Sequence, residues 1–339
     1  MILIAFGTRP EWLKVKPVMD EFIRNGERPK LLYVGQHEHL PCKGYKPLTI
    51  RVQDGANRLD AILYSIISTG LWEQNKDVTH VLVQGDTTTA MSVALSAFHH
   101  KKTVIHLEAG LRTYDNENPW PEESNRRIIS QVASIHLCAT VENLLNLRSE
   151  GVYGDTYITG NTSIDNLKEY DKHCEYGNTV IVTMHRRENH PLMGEWFTAI
   201  DNLAYMNPAL KFILPIHPNP EVKKHASILK HVNVIDPLPH EEMLDLLVKA
   251  RMVITDSGGI QEECSYFNKL CFVCRKKTER PEAQSTVMVR RPDDLQDLFW
   301  DNFHNYKLDF PCPYGEGDAA KEVYRILKLK LDEVILDGD

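Results

Sequence analysis

Three carboxylates in the first half of the chain, Asp86, Glu108 and Glu122, and one histidine in the second, His185, sit where proton chemistry is plausible. Asp86 follows HVLVQG, Glu108 follows TVIHL, and Glu122 lies in NENPWPEESNRR. Acids that share one environment can hold different proton affinities and so divide acid and base roles. Each also has a plain alternative as an ion-pair partner of Arg112, Arg126 or Arg127, and a helix dipole would stabilise Glu122 and Glu123 equally well. His185 stands beside Arg186 and Arg187, which joins a proton-transfer group to fixed cations and suits a phosphate-bearing leaving group. Arg280 and Lys14 could add charge.

Ser257-Gly258-Gly259 opens a helical run whose free N–H groups and dipole suit an anion, so it reads as a diphosphate seat, with a cap and tight turn as the alternative. Neither the GK[ST] of a Walker loop nor the GxGxxG of a dinucleotide fold is present. Glu263, one to two turns along, could accept hydrogen bonds from vicinal ribose hydroxyls. His37-Glu38-His39 and His185-xx-Glu188-x-His190 lack the HExxH spacing that puts two imidazoles on one helical face, so no metal and no cofactor is expected.

The elements that must position these groups are short β-rich runs, each followed by a loop and a helical pattern. They are ILIAF, LLYV, HVLVQ, TVIHL, HLCAT and TYIT, then VIVT, KFILP, VNVI, RMVIT and LCFVC. Strands separated by helices mean parallel sheets covered on both faces: an α/β chain of two doubly wound, Rossmann-like halves. Ligands of such sheets sit beyond the carboxyl ends of the strands. Reading only those positions gives GTRPE, GDTTT, EAGLR, HRREN, HPNP, DSGG and RKKTERPE, charge expected to gather at both rims of one cleft. The polar, turn-rich NLKEYDKHCEYGNT marks a boundary, predicting domains over 1–168 and 169–317. From about Asp318 to 339 a closing amphipathic helix is predicted, with Val323, Ile326, Leu327, Leu329, Leu331 and Val334 at helical spacing.

The 339 residues are enough for about two domains, and 42% hydrophobic with 25% charged residues excludes disorder, collagen and a disulfide-stapled mini-protein. A net charge of −8 disfavours bulk attraction to nucleic acid or an anionic membrane, so phosphate must be held locally. No apolar run approaches the roughly 20 residues that span a bilayer. The opening MILIAFGTRPE enters a strand without signal-peptide anatomy, and a cytoplasmic protein is expected. The 7 cysteines are expected to be reduced; strand alternation puts Cys271 and Cys274 on opposite faces of LCFVC.

Taken in order, GTRPE, GDTTTA, HLEAGLRT, PWPEESNRR, GNTSIDNL, TMHRREN, PIHPNP, TDSGGIQEE and TERPEA closely resemble the bacterial UDP-N-acetylglucosamine 2-epimerases, in particular the non-hydrolysing branch. The likeness runs from about residue 3 to 283 and resumes at CPYGEGDAA. It implies a glycosyltransferase-B-like fold with the active site in the interdomain cleft, a C-terminal helix that returns to the first half, and a homodimer. Carried over by position, it implies catalytic roles for Asp86, Glu108, Glu122 and His185. It implies UDP-sugar binding by Arg9, Lys14, Arg186, His217, Ser257, Gly258, Gly259, Glu263 and Arg280, and inversion at C2 by elimination of UDP and re-addition.

The sequence departs from the family after the second strand, where a second substrate molecule activates the non-hydrolysing enzymes. Gln36 and His37 match as a remnant of that allosteric site. The usual REM run is replaced by Glu38-His39-Leu40, and a family arginine aligns with Ser65, implying reduced or absent activation. The alternatives are a hydrolysing epimerase releasing N-acetylmannosamine and UDP, an epimerase of a 2,3-diacetamido sugar nucleotide, a glycosyltransferase of the same fold, and a non-catalytic nucleotide-sugar binder. Three acids with His185 speak against a mere binder.

Overall fold

A computed structural model of the chain describes residues 1–35, 42–170 and 176–336. It divides into two units, Met1–Asn166 with Gly315–Asp339, and Leu167–Tyr314.

The first unit is built on seven strands, β1 (Ile2–Phe6), β2 (Lys30–Gly35), β3 (Leu48–Arg51), β4 (His80–Gln84), β5 (Thr103–Ala109), β6 (Ile135–Cys138) and β7 (Asp155–Ile158). They form one sheet in the order β3-β2-β1-β4-β5-β6-β7, every neighbouring pair parallel. A parallel strand covered on both faces needs a continuous apolar run, which ILIAF supplies. Ile2, Ile4 and Phe6 enter one core with Val15, Val18 and Phe22 of helix Arg9–Arg24. Leu3 and Ala5 enter the other with Val93, Ala94 and Ala97 of helix Thr88–His99.

Helix Ala319–Leu336 packs on the first of these cores through Val323, Ile326 and Leu327, with Phe22 meeting Tyr324 edge-on at 4.9 Å. Asp165 caps it from a distant point of the chain, accepting the N–H groups of Ala319 and Ala320 at 3.0 and 2.7 Å. Leu329, expected on the apolar face, is 55% exposed. At 100° per residue it falls outside the stripe that Val323, Ile326 and Leu327 define.

The second unit repeats the plan with β8 (Thr179–Thr183), β9 (Lys211–Pro215), β10 (Asn233–Ile235), β11 (Met252–Thr255), β12 (Leu270–Cys274) and β13 (Thr286–Val289). Its sheet runs β10-β9-β8-β11-β12-β13, again parallel throughout. Val180, Val182, Ile254 and Phe272 share a core with Trp196, Phe197 and Ile200 of helix Met193–Met206. Cys274 belongs to that core, whereas Cys271 meets Cys264 of helix Gly258–Tyr266, so the two cysteines do lie on opposite faces. In both sheets the strand order reverses beside the first strand, the switch point at which doubly wound sheets bind ligands.

The apolar runs do not anticipate β3 and β13, which form one edge of each sheet. Leu48–Arg51 buries Ile50 alone and Thr286–Val289 buries Val289 alone. An edge strand covered on one side has no need of a continuous apolar run. Among the described residues no helix is long and apolar enough to cross a membrane.

Candidate active site

The loops after β1, β4 and β5 meet in the first unit. Thr8 caps helix Arg9–Arg24 by accepting the Glu11 N–H at 3.4 Å, while the Glu11 carboxylate reaches back to the Gly7 N–H at 3.2 Å and the Thr8 hydroxyl at 2.7 Å. Glu11 also accepts from Thr87 at 2.8 Å, tying the GTRPE loop to GDTTT. Complete burial raises its pKa against these bonds. His106, fully buried on β5, donates through Nε2 to the Gly85 carbonyl at 2.8 Å and so fixes the turn before Asp86. Burial pulls His106 down to about 3, which keeps its ring neutral.

Glu108 stands at the end of β5 in a left-handed backbone conformation, φ 63°, where the register with β6 slips between Leu107 and Ala109. A non-glycine residue there costs on the order of 1–3 kcal/mol, and a bulge re-aims the side chain it carries. The re-aimed carboxylate is 8% exposed. Lys14 donates to Oε1 at 2.5 Å and Asn161 donates to the same oxygen at 2.9 Å, while Gln84 donates to Oε2. Asp86 pairs with Arg126 at 2.7 Å, and Asn125 donates to its carbonyl at 2.8 Å. Both partners lie on helix Glu122–Val132, of which Glu122 is the first residue. Its neighbour Glu123 is structural: fully buried, it accepts the N–H groups of Thr113 and Tyr114 at 3.0 and 3.1 Å and pairs with Arg126 at 3.0 Å. Arg9 is exposed at the start of its helix.

In the second unit the loops after β8, β9, β11 and β12 converge. His185 stacks on His217 with ring centres 5.2 Å apart. The pKa of each imidazole is lowered chiefly by burial, with Asp256 opposing. Arg186 beside them is half-buried, and its Nε has no hydrogen-bond partner among the described residues. Ser257 occupies the N-cap of helix Gly258–Tyr266 but makes no side-chain cap bond, leaving the first-turn N–H groups to an incoming acceptor. Glu263 is half-buried on the same helix.

Arg280 is not an isolated cation. It is 5% exposed and donates to Glu262 at 2.6 Å and Glu279 at 2.5 Å. Glu279 pairs in turn with Arg275 at 2.8 Å, and Arg275 with Glu188 at 2.7 Å. Burial pulls the Arg275 guanidinium down, but Glu279 and Glu188 outweigh it and hold its pKa above the usual value. This buried ladder of alternating charge joins the His185 loop, the loop after β12 and the helix. The spacing of the sequence gives no sign of it.

The two glycines of the seat differ. A Cβ on Gly258 would lie 2.5 Å from an Arg280 guanidinium nitrogen, whereas one on Gly259 would meet nothing within 4 Å. Gly259→Ala is therefore expected to hold or raise thermal stability, by up to about 1 kcal/mol from helix propensity. If this helix start holds a diphosphate, the added methyl should weaken its binding by about tenfold or more, the worth of one well-made backbone contact. Paired melting curves and titration calorimetry with a nucleoside diphosphate check both, and an unchanged affinity would remove Gly259 from the seat.

Gln36 and His37 lie outside the described residues. Ser65 is buried on helix Arg58–Ile67, where it donates to the Ala61 carbonyl at 2.7 Å and accepts the Gln53 N–H at 2.9 Å.

A family model described as UDP-N-acetylglucosamine 2-epimerase matches residues 61–328. The chain is 36% identical over 375 residues to the UDP-N-acetylglucosamine 2-epimerase of Campylobacter jejuni, covering 96% of this chain and 97% of that one. Its fold matches the crystal structure of UDP-GlcNAc 2-epimerase from Neisseria meningitidis bound to UDP-GlcNAc, with TM-score 0.86, 32% identity, and 96% and 99% of the two chains covered. It also matches the Methanocaldococcus jannaschii UDP-GlcNAc 2-epimerase in complex with UDP-GlcNAc and UDP, with TM-score 0.81, 26% identity, and 97% and 99% covered.

Proposed function

The chain belongs to the UDP-N-acetylglucosamine 2-epimerase family, and from that membership we propose that it is a non-hydrolysing isomerase interconverting UDP-GlcNAc and UDP-ManNAc. The observation that carries the chemistry is Glu108, a carboxylate aimed by a strained, bulged backbone and braced by Lys14, Gln84 and Asn161.

A C2 proton with no adjacent carbonyl is barely acidic, so C1–O cleavage must build oxocarbenium character before a carboxylate can remove it. In this reading UDP departs first. His185, Arg186 and the uncapped helix start at Ser257-Gly258-Gly259 receive the diphosphate, with Arg9 and His217 as further donors and Glu263 on the ribose. Arg280 acts at the seat's back wall, against Gly258. Asp86, Glu108 and Glu122 then move protons on the two faces of C2, leaving a 2-acetamidoglucal between the two half-reactions. Re-addition of UDP after protonation from the opposite face completes the inversion.

The experiment follows an ¹⁸O label placed in the bridge between C1 and the β-phosphorus. Free rotation of the departed UDP β-phosphate predicts scrambling into non-bridging positions, seen as ³¹P isotope shifts, on the time scale of epimerisation. UDP-ManNAc formed without scrambling would exclude the elimination step. Free ManNAc accumulating with UDP would replace this reading with the hydrolysing one.

A further inference from the structure

Asp256 directly follows β11 with 0% exposure, and its carboxylate is bonded to the loop that carries His185. Both oxygens take the His185 N–H at 3.0 Å, and Oδ2 also accepts the Arg186 N–H at 2.9 Å and the Asn189 amide at 3.0 Å. Among the described residues Oδ1 accepts only the shared main-chain N–H, and it lies 3.5 Å from His185 Nδ1. A carboxylate that merely closed the loop would have no need to face the ring. Here the oxygen least occupied by the backbone is the one beside the imidazole, the relation that fixes tautomer and ring orientation in other histidine sites.

We propose that Asp256 is the positioning residue of His185, holding the ring by Nδ1 so that Nε2 is the nitrogen presented to the departing nucleotide. This rests on the reading of His185 as hydrogen-bond and proton donor to UDP. The other groups facing the ring are His217 after β9, Arg275 after β12 and Arg186 in the same loop, and His190 donates to the His185 carbonyl at 3.3 Å. Burial and the cations disfavour the charged imidazole, and Asp256 is the group that opposes them.

The test uses full-length protein labelled with ¹⁵N-histidine, with the His185 signals identified by their loss in His185→Gln. In the wild type the neutral ring is expected as the Nδ1–H tautomer; an Nε2–H tautomer overturns the proposal. Asp256→Asn is expected to lower the titration midpoint of His185 by about one pH unit, the order of effect of an opposite charge within 4–6 Å. The alkaline limb of kcat/KM should move to lower pH with it, because the protonated ring is the active form. A fall in activity with the midpoint unmoved would reduce Asp256 to a loop cap and overturn the proposal. If His185→Gln kept wild-type turnover, the donor role of His185 would fail instead, while the tautomer and midpoint still judged the Asp256–His185 pair.

Discussion

Glu108→Gln is expected to lower turnover of UDP-GlcNAc by roughly 10²- to 10⁴-fold, the usual worth of a positioned acid or base. Glutamine keeps the shape and one acceptor for Asn161 or Gln84, but it removes the charge that Lys14 pairs with at 2.5 Å. A stability loss of about 1–3 kcal/mol should accompany the change, because a largely buried cation loses the carboxylate it pairs with. The kinetic loss must therefore be read at a temperature where both proteins are folded, as kcat at saturating substrate. Asp86→Asn should give a loss of the same order with less effect on folding, since Asp86 is more exposed and Arg126 keeps Glu123. If both variants turned over at near wild-type rates, the assignment of proton transfer to these carboxylates would be abandoned.

Gly110→Ala is expected to be the most destabilising single methyl in this region. Gly110 has φ 90°, a conformation that side chains rarely adopt, and a Cβ there would lie 2.2 Å from the Asn143 carbonyl oxygen and 2.7 Å from its carbon. The obstacle is backbone at the start of a capped helix, so it cannot swing aside as a side-chain end would. Strain of roughly 1–3 kcal/mol and overpacking of roughly 1–3 kcal/mol together predict a loss of about 2–6 kcal/mol. Denaturant midpoints of the purified protein measure this directly. Activity should fall with it, because Gly110 lies two residues beyond Glu108, directly after the strand that carries it. An unchanged midpoint would mean that the helix carrying Asn143 yields at little cost.

The architecture was legible because a parallel sheet covered on both faces writes continuous apolar runs into the sequence, and its chemistry falls at strand ends. Asp86, Glu108, His185 and Ser257-Gly258-Gly259 all stand at such positions. Other features had no such signature. β3 and β13 are edge strands with one buried residue apiece, so their pattern resembles a loop. The bulge at Glu108 is a conformation, and no residue type announces it except the glycine that follows. Arg280 reads as a free cation because one partner, Glu262, lies 18 residues earlier on helix Gly258–Tyr266, and only folding brings it to the guanidinium that the adjacent Glu279 also pairs with. Asp256 was visible as a strand-end acid, yet such an acid is commonly a cap. Its second relation, to a ring 71 residues earlier, is a product of β8 and β11 being neighbours.

C2 inversion through departure and return of UDP is tested by proton NMR of UDP-GlcNAc with the purified protein in heavy water. In the C1 and C2 sugar signals, UDP-ManNAc is expected to appear with deuterium at C2 and no free sugar. Epimerised product that kept its C2 hydrogen would contradict it, as would deuterium-free substrate left unchanged by enzyme that binds UDP.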